Sequence, residues 1–191
     1  MSATPESRPA APRAYFSTFE LLLLGVFAAL VIAGNLALRL PIKVPGHSGI
    51  VWMALLVTAR AVVPKPGSAA AAGVISGVLA AFAGLGDKGA LDTFASYAAA
   101  GLAVDAAMLA ARQPAGALRC ACAGALGNLA KLAVKMLLEL WIGIPTGFVV
   151  MGRVYPVVTH VVCGVGGGYL GHLVLVALRR AGFFAYLAGR R

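Results

Sequence analysis

The sequence predicts an all-α integral membrane protein: a six-transmembrane-helix bundle with both termini inside (N-in/C-in). Three observations predict it. Of the 191 residues, 61% are hydrophobic and 12% charged, with a mean hydropathy of +0.91. Soluble domains carry about 25% charged residues, so the solvent here is the bilayer. Six apolar stretches follow one another, separated by Pro, Gly and charged residues. Basic residues gather at alternate ends of these stretches.

The first 15 residues, rich in Pro, Ala and Ser with Arg8 and Arg13, read as a disordered cytoplasmic tail. The apolar run from Phe19 to Leu40 is longer than the ~7–15 residues of a signal-peptide core. The first stretch, Phe16–Leu40, ends at Pro41. The second, Ser48–Val63, ends before Pro64, and the third, Ser68–Leu85, ends in the Gly-rich turn 84–89. A span needs ~17–25 residues, so these two are the weakest spans and read also as one tilted hairpin. The fourth is Ala90–Ala111, the fifth Ala115–Ile142 and the sixth Val154–Leu178. The expected organisation is a tail (1–15), a six-helix membrane domain (16–180) and a basic cytoplasmic tail (181–191).

Charge orients the bundle. With the N-terminus inside, Arg8, Arg13, Arg60, Lys65, Arg112, Arg119, Arg179, Arg180, Arg190 and Arg191 lie at inner ends. Arg39, Lys43, Lys88 and Arg153 lie at outer ends. The bias satisfies the positive-inside rule and an even number of spans, and it predicts a multi-pass cell (inner) membrane protein. It also accounts for the net charge of +10 without nucleic acid, for which there is no basic–aromatic surface or motif. Cys120, Cys122 and Cys163 form no disulfide framework or metal set and read as small packing residues.

The fifth stretch carries the most informative residues: Asn128, Lys131, Lys135 and Glu139. Steps of three, four and four place them within about 80° on one helical face. Ionisable groups at membrane depth cost about 3 kcal/mol each at a helix centre and persist where they face a cavity, partner or substrate. The topology puts Asn128 near mid-membrane and the other three progressively further out. Tyr155 and His160 fall in the outer half of the sixth stretch, and Asp92 and Tyr97 in that of the fourth. His47, Ser48 and Trp52 lie in or just after the loop Pro41–Gly49. This clustering predicts an outward-facing substrate pocket formed by Asn128, Lys131, Lys135, Glu139, His160, Tyr155, Tyr97, His47 and Trp52. Two lysines and an amide suit a carboxylate, phosphate or carbonyl group. Glu139 would balance a cationic ring or fix a lysine.

Structural readings stand beside this one. Lys135 and Glu139 can pair at i,i+4, and Lys131 can snorkel. Trp52, Tyr97, Trp141 and Tyr155 suit either a flat ligand ring or an interfacial belt. His172 reads as packing, and Asp105 as pairing within the bundle or meeting a partner. The three histidines are spread over loop, outer and inner depth, so no metal site or other cofactor is expected.

Small residues repeat at helical spacing: Gly25, Ala29 and Ala33; Gly73 and Gly77; Gly164 with Gly168, and Gly167 with Gly171. They permit close helix packing, or, on the first stretch, docking of another membrane subunit. The segment Gly46-His-Ser-Gly49 followed by His160, Gly164 and Gly168 is similar to the Ser and His motifs of rhomboid-type intramembrane proteases, in which the histidine activates the serine. In that family three spans precede the serine motif; here one does.

The whole pattern resembles the substrate-binding membrane subunit (S component) of energy-coupling factor transporters. The resemblance rests on the ladder Gly25, Ala29, Ala33, the loop Pro41–Gly49, the short second and third stretches, the polar outer parts of the fifth and sixth, and the Gly-rich end of the chain. It covers nearly everything after residue 15. It implies a non-enzymatic subunit that captures a vitamin or related small organic solute from outside. It also implies an Ala-x-x-x-Ala face, matched by Ala29 and Ala33, that docks on a transmembrane coupling subunit driven by two cytoplasmic ATPase subunits. No Walker motif occurs here, so ATP hydrolysis would belong to those partners. A rhomboid-like protease and a stand-alone small permease are the alternatives.

Overall fold

The computed structural model describes residues 15–37, 45–85, 89–109 and 116–189. The described residues are all-α, in eight helices: α1 (Thr18–Ala37), α2 (Gly49–Val62), α3 (Ser68–Phe82), α4 (Ala90–Leu109), α5 (Ala117–Trp141), α6 (Thr146–Met151), α7 (Val154–Arg180) and α8 (Phe183–Ala188). Helices α1, α5 and α7 are long and apolar enough to cross a bilayer, which supports a membrane location. Six of the eight match the six apolar stretches, and α2 and α3 end just before the predicted breaks at Pro64 and Gly84. The N-terminal tail and loop residues 38–44 lie outside the described residues, Tyr15 excepted.

Helix α2 occupies the centre. It touches α1, α3, α4, α5 and α7, while the sequence α1–α3–α4–α5–α7 runs around it. Its side chains are buried on all sides, from Trp52 and Met53 through Leu56 and Val57 to Val62. Hydropathy alone does not distinguish such a helix from one that faces lipid. At 14 residues α2 is shorter than the ~17–25 that a lipid-facing span needs.

Glycines bring the backbones together. A Cβ at Gly73 would stand 2.6 Å from the Tyr97 carbonyl oxygen, one at Gly164 2.6 Å from that of Gly124, and one at Gly167 2.5 Å from that of Ile50. These seams join α3 to α4, α5 to α7 and α2 to α7, so the predicted pairs on the third and sixth stretches are packing residues. On α1 the outcome differs. A Cβ at Gly25 would meet nothing within 4 Å, and Ala29 and Ala33 are exposed.

Polar pairs fasten the end of the bundle that carries Lys65. Ser17 and Glu20 form a reciprocal cap at the start of α1: the Ser17 amide donates to Glu20 Oε2 (2.9 Å) and the Glu20 amide to Ser17 Oγ (3.2 Å). Lys65 Nζ lies 2.6 Å from the same carboxylate and donates to the Tyr15 carbonyl, tying the α2–α3 connection to α1. Arg60 Nε stands 2.9 Å from Asp105 Oδ1, with both side chains buried. Helix α3 begins after Gly67, which has no side chain for a cap. Asp105 supplies one from α4, accepting the Ala70 amide at 2.6 Å.

The segment expected as a basic tail includes α8. Leu187 is buried and Phe183 and Phe184 pack against the core, because three large apolar side chains sit among the arginines. The long helices α5 and α7, joined through α6, run beyond the start of α2 at the His47 end. Gly167, thirteen residues into α7, lies against the Gly49 and Ile50 carbonyls. At ~1.5 Å per residue, α7 projects roughly 20 Å past that point.

Candidate functional site

The start of α2 is where the predicted site residues converge. The turn 45–48 is set by Gly46 at φ +82°, a conformation suited to glycine. A side chain at Gly46 would also collide with His160, its Cβ falling 2.9 Å from Nδ1. Three residues on, Gly49 lies against Asn128: a Cβ there would come within 2.5 Å of the amide. The G-x-S-G stretch is thus shaped by close approach to α5 and α7.

Asn128 is fully buried, and its Nδ2 donates to the His160 main-chain carbonyl at 2.8 Å. It joins α5, α7 and the start of α2. Its Oδ1 is buried without a hydrogen-bond partner among the described residues. His160 Nδ1 lies 2.7 Å from the Pro156 carbonyl oxygen. A carbonyl only accepts, so Nδ1 is the donor and Nε2 the acceptor of a neutral ring.

One helical turn along α5, Lys131 Nζ sits 4.4 Å from the Trp52 ring centroid and donates to Ser48 Oγ at 3.4 Å. The ammonium over an indole is a cation–π contact. Trp52 packs in turn on Tyr97, ring centroids 3.9 Å apart, and the Tyr97 hydroxyl accepts from Asn35 Nδ2 at 2.6 Å. An aromatic and polar chain therefore runs from α1 through α4 and α2 to α5. Trp52 and Tyr97 are buried, 3% and 4% exposed, and cover each other. Trp141 and Tyr155 are 77% and 61% exposed, as a belt requires.

Of the predicted residues, Asn128, Lys131, Trp52, Tyr97, His160 and His47 gather around this point. Lys135 is half-buried, one turn beyond Lys131. Glu139 is buried and ion-paired with Arg153, which bridges α5 to the start of α7. Tyr155 stands apart: five residues before His160, it points about 140° away around α7. Half-buried Gly25 and exposed Ala29 and Ala33 form a separate strip on α1. The sequence reading overlooked Asn35 and gave Arg153 no role beyond its charge. Neither residue announces its partner, because Asn35 bonds 62 positions away and Arg153 looks like an ordinary loop cation.

Among the described residues no three His, Cys, Asp or Glu side chains converge as a metal-binding group. No protein-family model, curated protein or solved structure matches this chain.

Proposed function

We propose that this chain is a solute-capture subunit of the membrane, of the kind the S-component resemblance implies. Six helices, α1 to α5 and α7, cross the bilayer, with the Lys65 end inside and the His47 end outside. The observation that carries the reading is the convergence of Ser48, Trp52, Tyr97, Asn128, Lys131 and His160 from four helices and one turn at the start of α2. A bundle built only for packing has no need of a lysine over a tryptophan beside a serine hydroxyl. The strip Gly25, Ala29, Ala33, with Ala29 and Ala33 exposed and open space over Gly25, supports docking to a coupling subunit, since the other small-residue pairs are occupied by neighbouring helices.

Purified protein is expected to retain a small organic molecule, released on denaturation and detectable by mass spectrometry. Co-expressed with a coupling subunit and two ATPases, it should support uptake that the double substitution Lys131→Ala, Lys135→Ala abolishes. Unchanged uptake in that variant would sink the pocket assignment. Uptake that persists without ATPase subunits favours a permease. The protease alternative draws on the packing of the Ser48 turn against His160. Covalent labelling of Ser48 by a fluorophosphonate probe would support it.

A further inference from the structure

We infer that the start of α2 is a carboxylate site, so that the captured solute is a small organic acid bound through its carboxylate; this rests on the capture reading above. Helix α2 is 14 residues long, and the side chain of its N-cap residue Ser48 makes no capping bond. The Ser48 hydroxyl receives Lys131 Nζ and keeps its own proton to donate. Trp52, 3% exposed, has a buried indole N–H with no acceptor among the described residues. An unmade bond at a buried donor costs about 1–3 kcal/mol, so the site is incomplete as it stands.

The separations fit one anion. Lys131 Nζ is 4.4 Å from the Trp52 ring centroid. The indole nitrogen is about 2 Å from that centroid, so the ammonium and the N–H lie within about 6.5 Å of each other. A carboxylate whose oxygens each accept at ~2.8 Å bridges that distance. Ser48 gives a third donor. The positive end of α2 adds a field of the same sign, although the Gly49 and Ile50 amides are already bonded to the Gly46 and His47 carbonyls.

Charge selects carboxylate over phosphate. Among the described residues the guanidinium at this end of the bundle is Arg153, and it is paired with Glu139. Among the described residues at this point, Lys131 supplies an ammonium and Ser48 and Trp52 two neutral donors, a set that suits a carboxylate. Asn128 Oδ1, buried and without a bond among the described residues, offers an acceptor on the same face of α5. An acid that also carries an N–H or O–H group would use it.

The test uses the purified full chain with Trp141→Phe, which leaves Trp52 as its one indole. Sodium acetate is titrated at constant ionic strength against sodium chloride, with acetamide and sodium phosphate as parallel probes. Trp52 emission is expected to change saturably with acetate at millimolar concentration and not with acetamide. Lys131→Met should weaken the acetate response at least about tenfold, the effect of removing a charge-assisted hydrogen bond. Ser48→Ala should weaken it severalfold and serves if the lysine variant elutes as aggregate. An absent or non-saturable acetate response, an equal response to acetamide, a stronger one to phosphate, or one indifferent to both substitutions overturns the proposal. If acetate fails while purified protein still retains an organic solute, only the carboxylate assignment falls. If acetate binds but no solute is retained and no uptake occurs, the carboxylate site stands and solute capture falls.

Discussion

The run Gly166-Gly167-Gly168 on α7 offers an internally controlled test of the packing. Alanine at each position adds the same methyl group in three environments. At Gly166 the new Cβ meets nothing within 4 Å, whereas at Gly167 it falls 2.5 Å from the Ile50 carbonyl oxygen and 2.9 Å from Met53 Cβ. At Gly168 it falls 2.7 Å from the Cys120 carbonyl carbon and 2.8 Å from Ala121 Cα. The Cys120 carbonyl oxygen is closer still to that Cβ. Ordinary contact begins near ~3.4 Å, so α7 must retreat from α2 by roughly 0.9 Å and from α5 by more than that. The obstacles are mostly backbone atoms, which cannot rotate aside. Overpacking of this kind costs about 1–3 kcal/mol. Gly166→Ala should instead stabilise by about 0.5–1 kcal/mol through helix propensity. Thermal unfolding in detergent, followed by size-exclusion of heated samples, ranks the three. The expected order is Gly166→Ala above the parent, with the other two well below it. If Gly166→Ala destabilises as much as its neighbours, the placement of α7 against α2 and α5 is wrong.

Other outcomes follow from the same contacts. Asp105→Asn leaves Arg60 buried beside a neutral group and should cost about 3–5 kcal/mol, with Arg60→Met in the same chain recovering part of it; thermal melts of the single and double variants measure both. Gly25→Leu should leave the melting temperature of the isolated chain nearly unchanged and reduce co-purification with a coupling subunit; co-purification at the parental level would remove the docking role of this strip. In a cysteine-free background, a cysteine replacing Tyr155 should react with a membrane-impermeant maleimide in intact cells, and one replacing Lys65 only after permeabilisation. The reverse pattern would invert the proposed orientation.

The helices were legible because most of the apolar runs end near a residue that interrupts helix for a chemical reason. Pro41 and Pro64 cannot continue one, and the turn at 84–89 is glycine-rich. The central position of α2 was not legible, since Val, Leu and Ala serve equally toward lipid and toward protein. At the site, the stripe on α5 was legible as one polar face, but the partner that Arg153 gives Glu139 across the hairpin was not. Trp52 and Tyr97 were legible as aromatic residues near one end, but their mutual packing was not, because it requires α2 and α4 to meet. The Ser17–Glu20 cap was readable from its S-x-x-E spacing alone and was passed over within a long apolar run. Leu187 was hidden in the same way by the arginines around it.

The shortness of α2 has an electrical consequence. Fourteen residues span about 21 Å, which in the proposed topology would leave about 9 Å of a ~30 Å hydrocarbon core above its first turn. A charged solute resting on that turn with water behind it would already have crossed close to a third of the insulating layer. A full membrane crossing is worth ~2.3 kcal/mol per unit charge at 100 mV, so its share here is about 0.7 kcal/mol, roughly a threefold change in occupancy. Affinity for an anion would then fall as the cell interior becomes more negative, and the resting potential would itself be a competitor for this site.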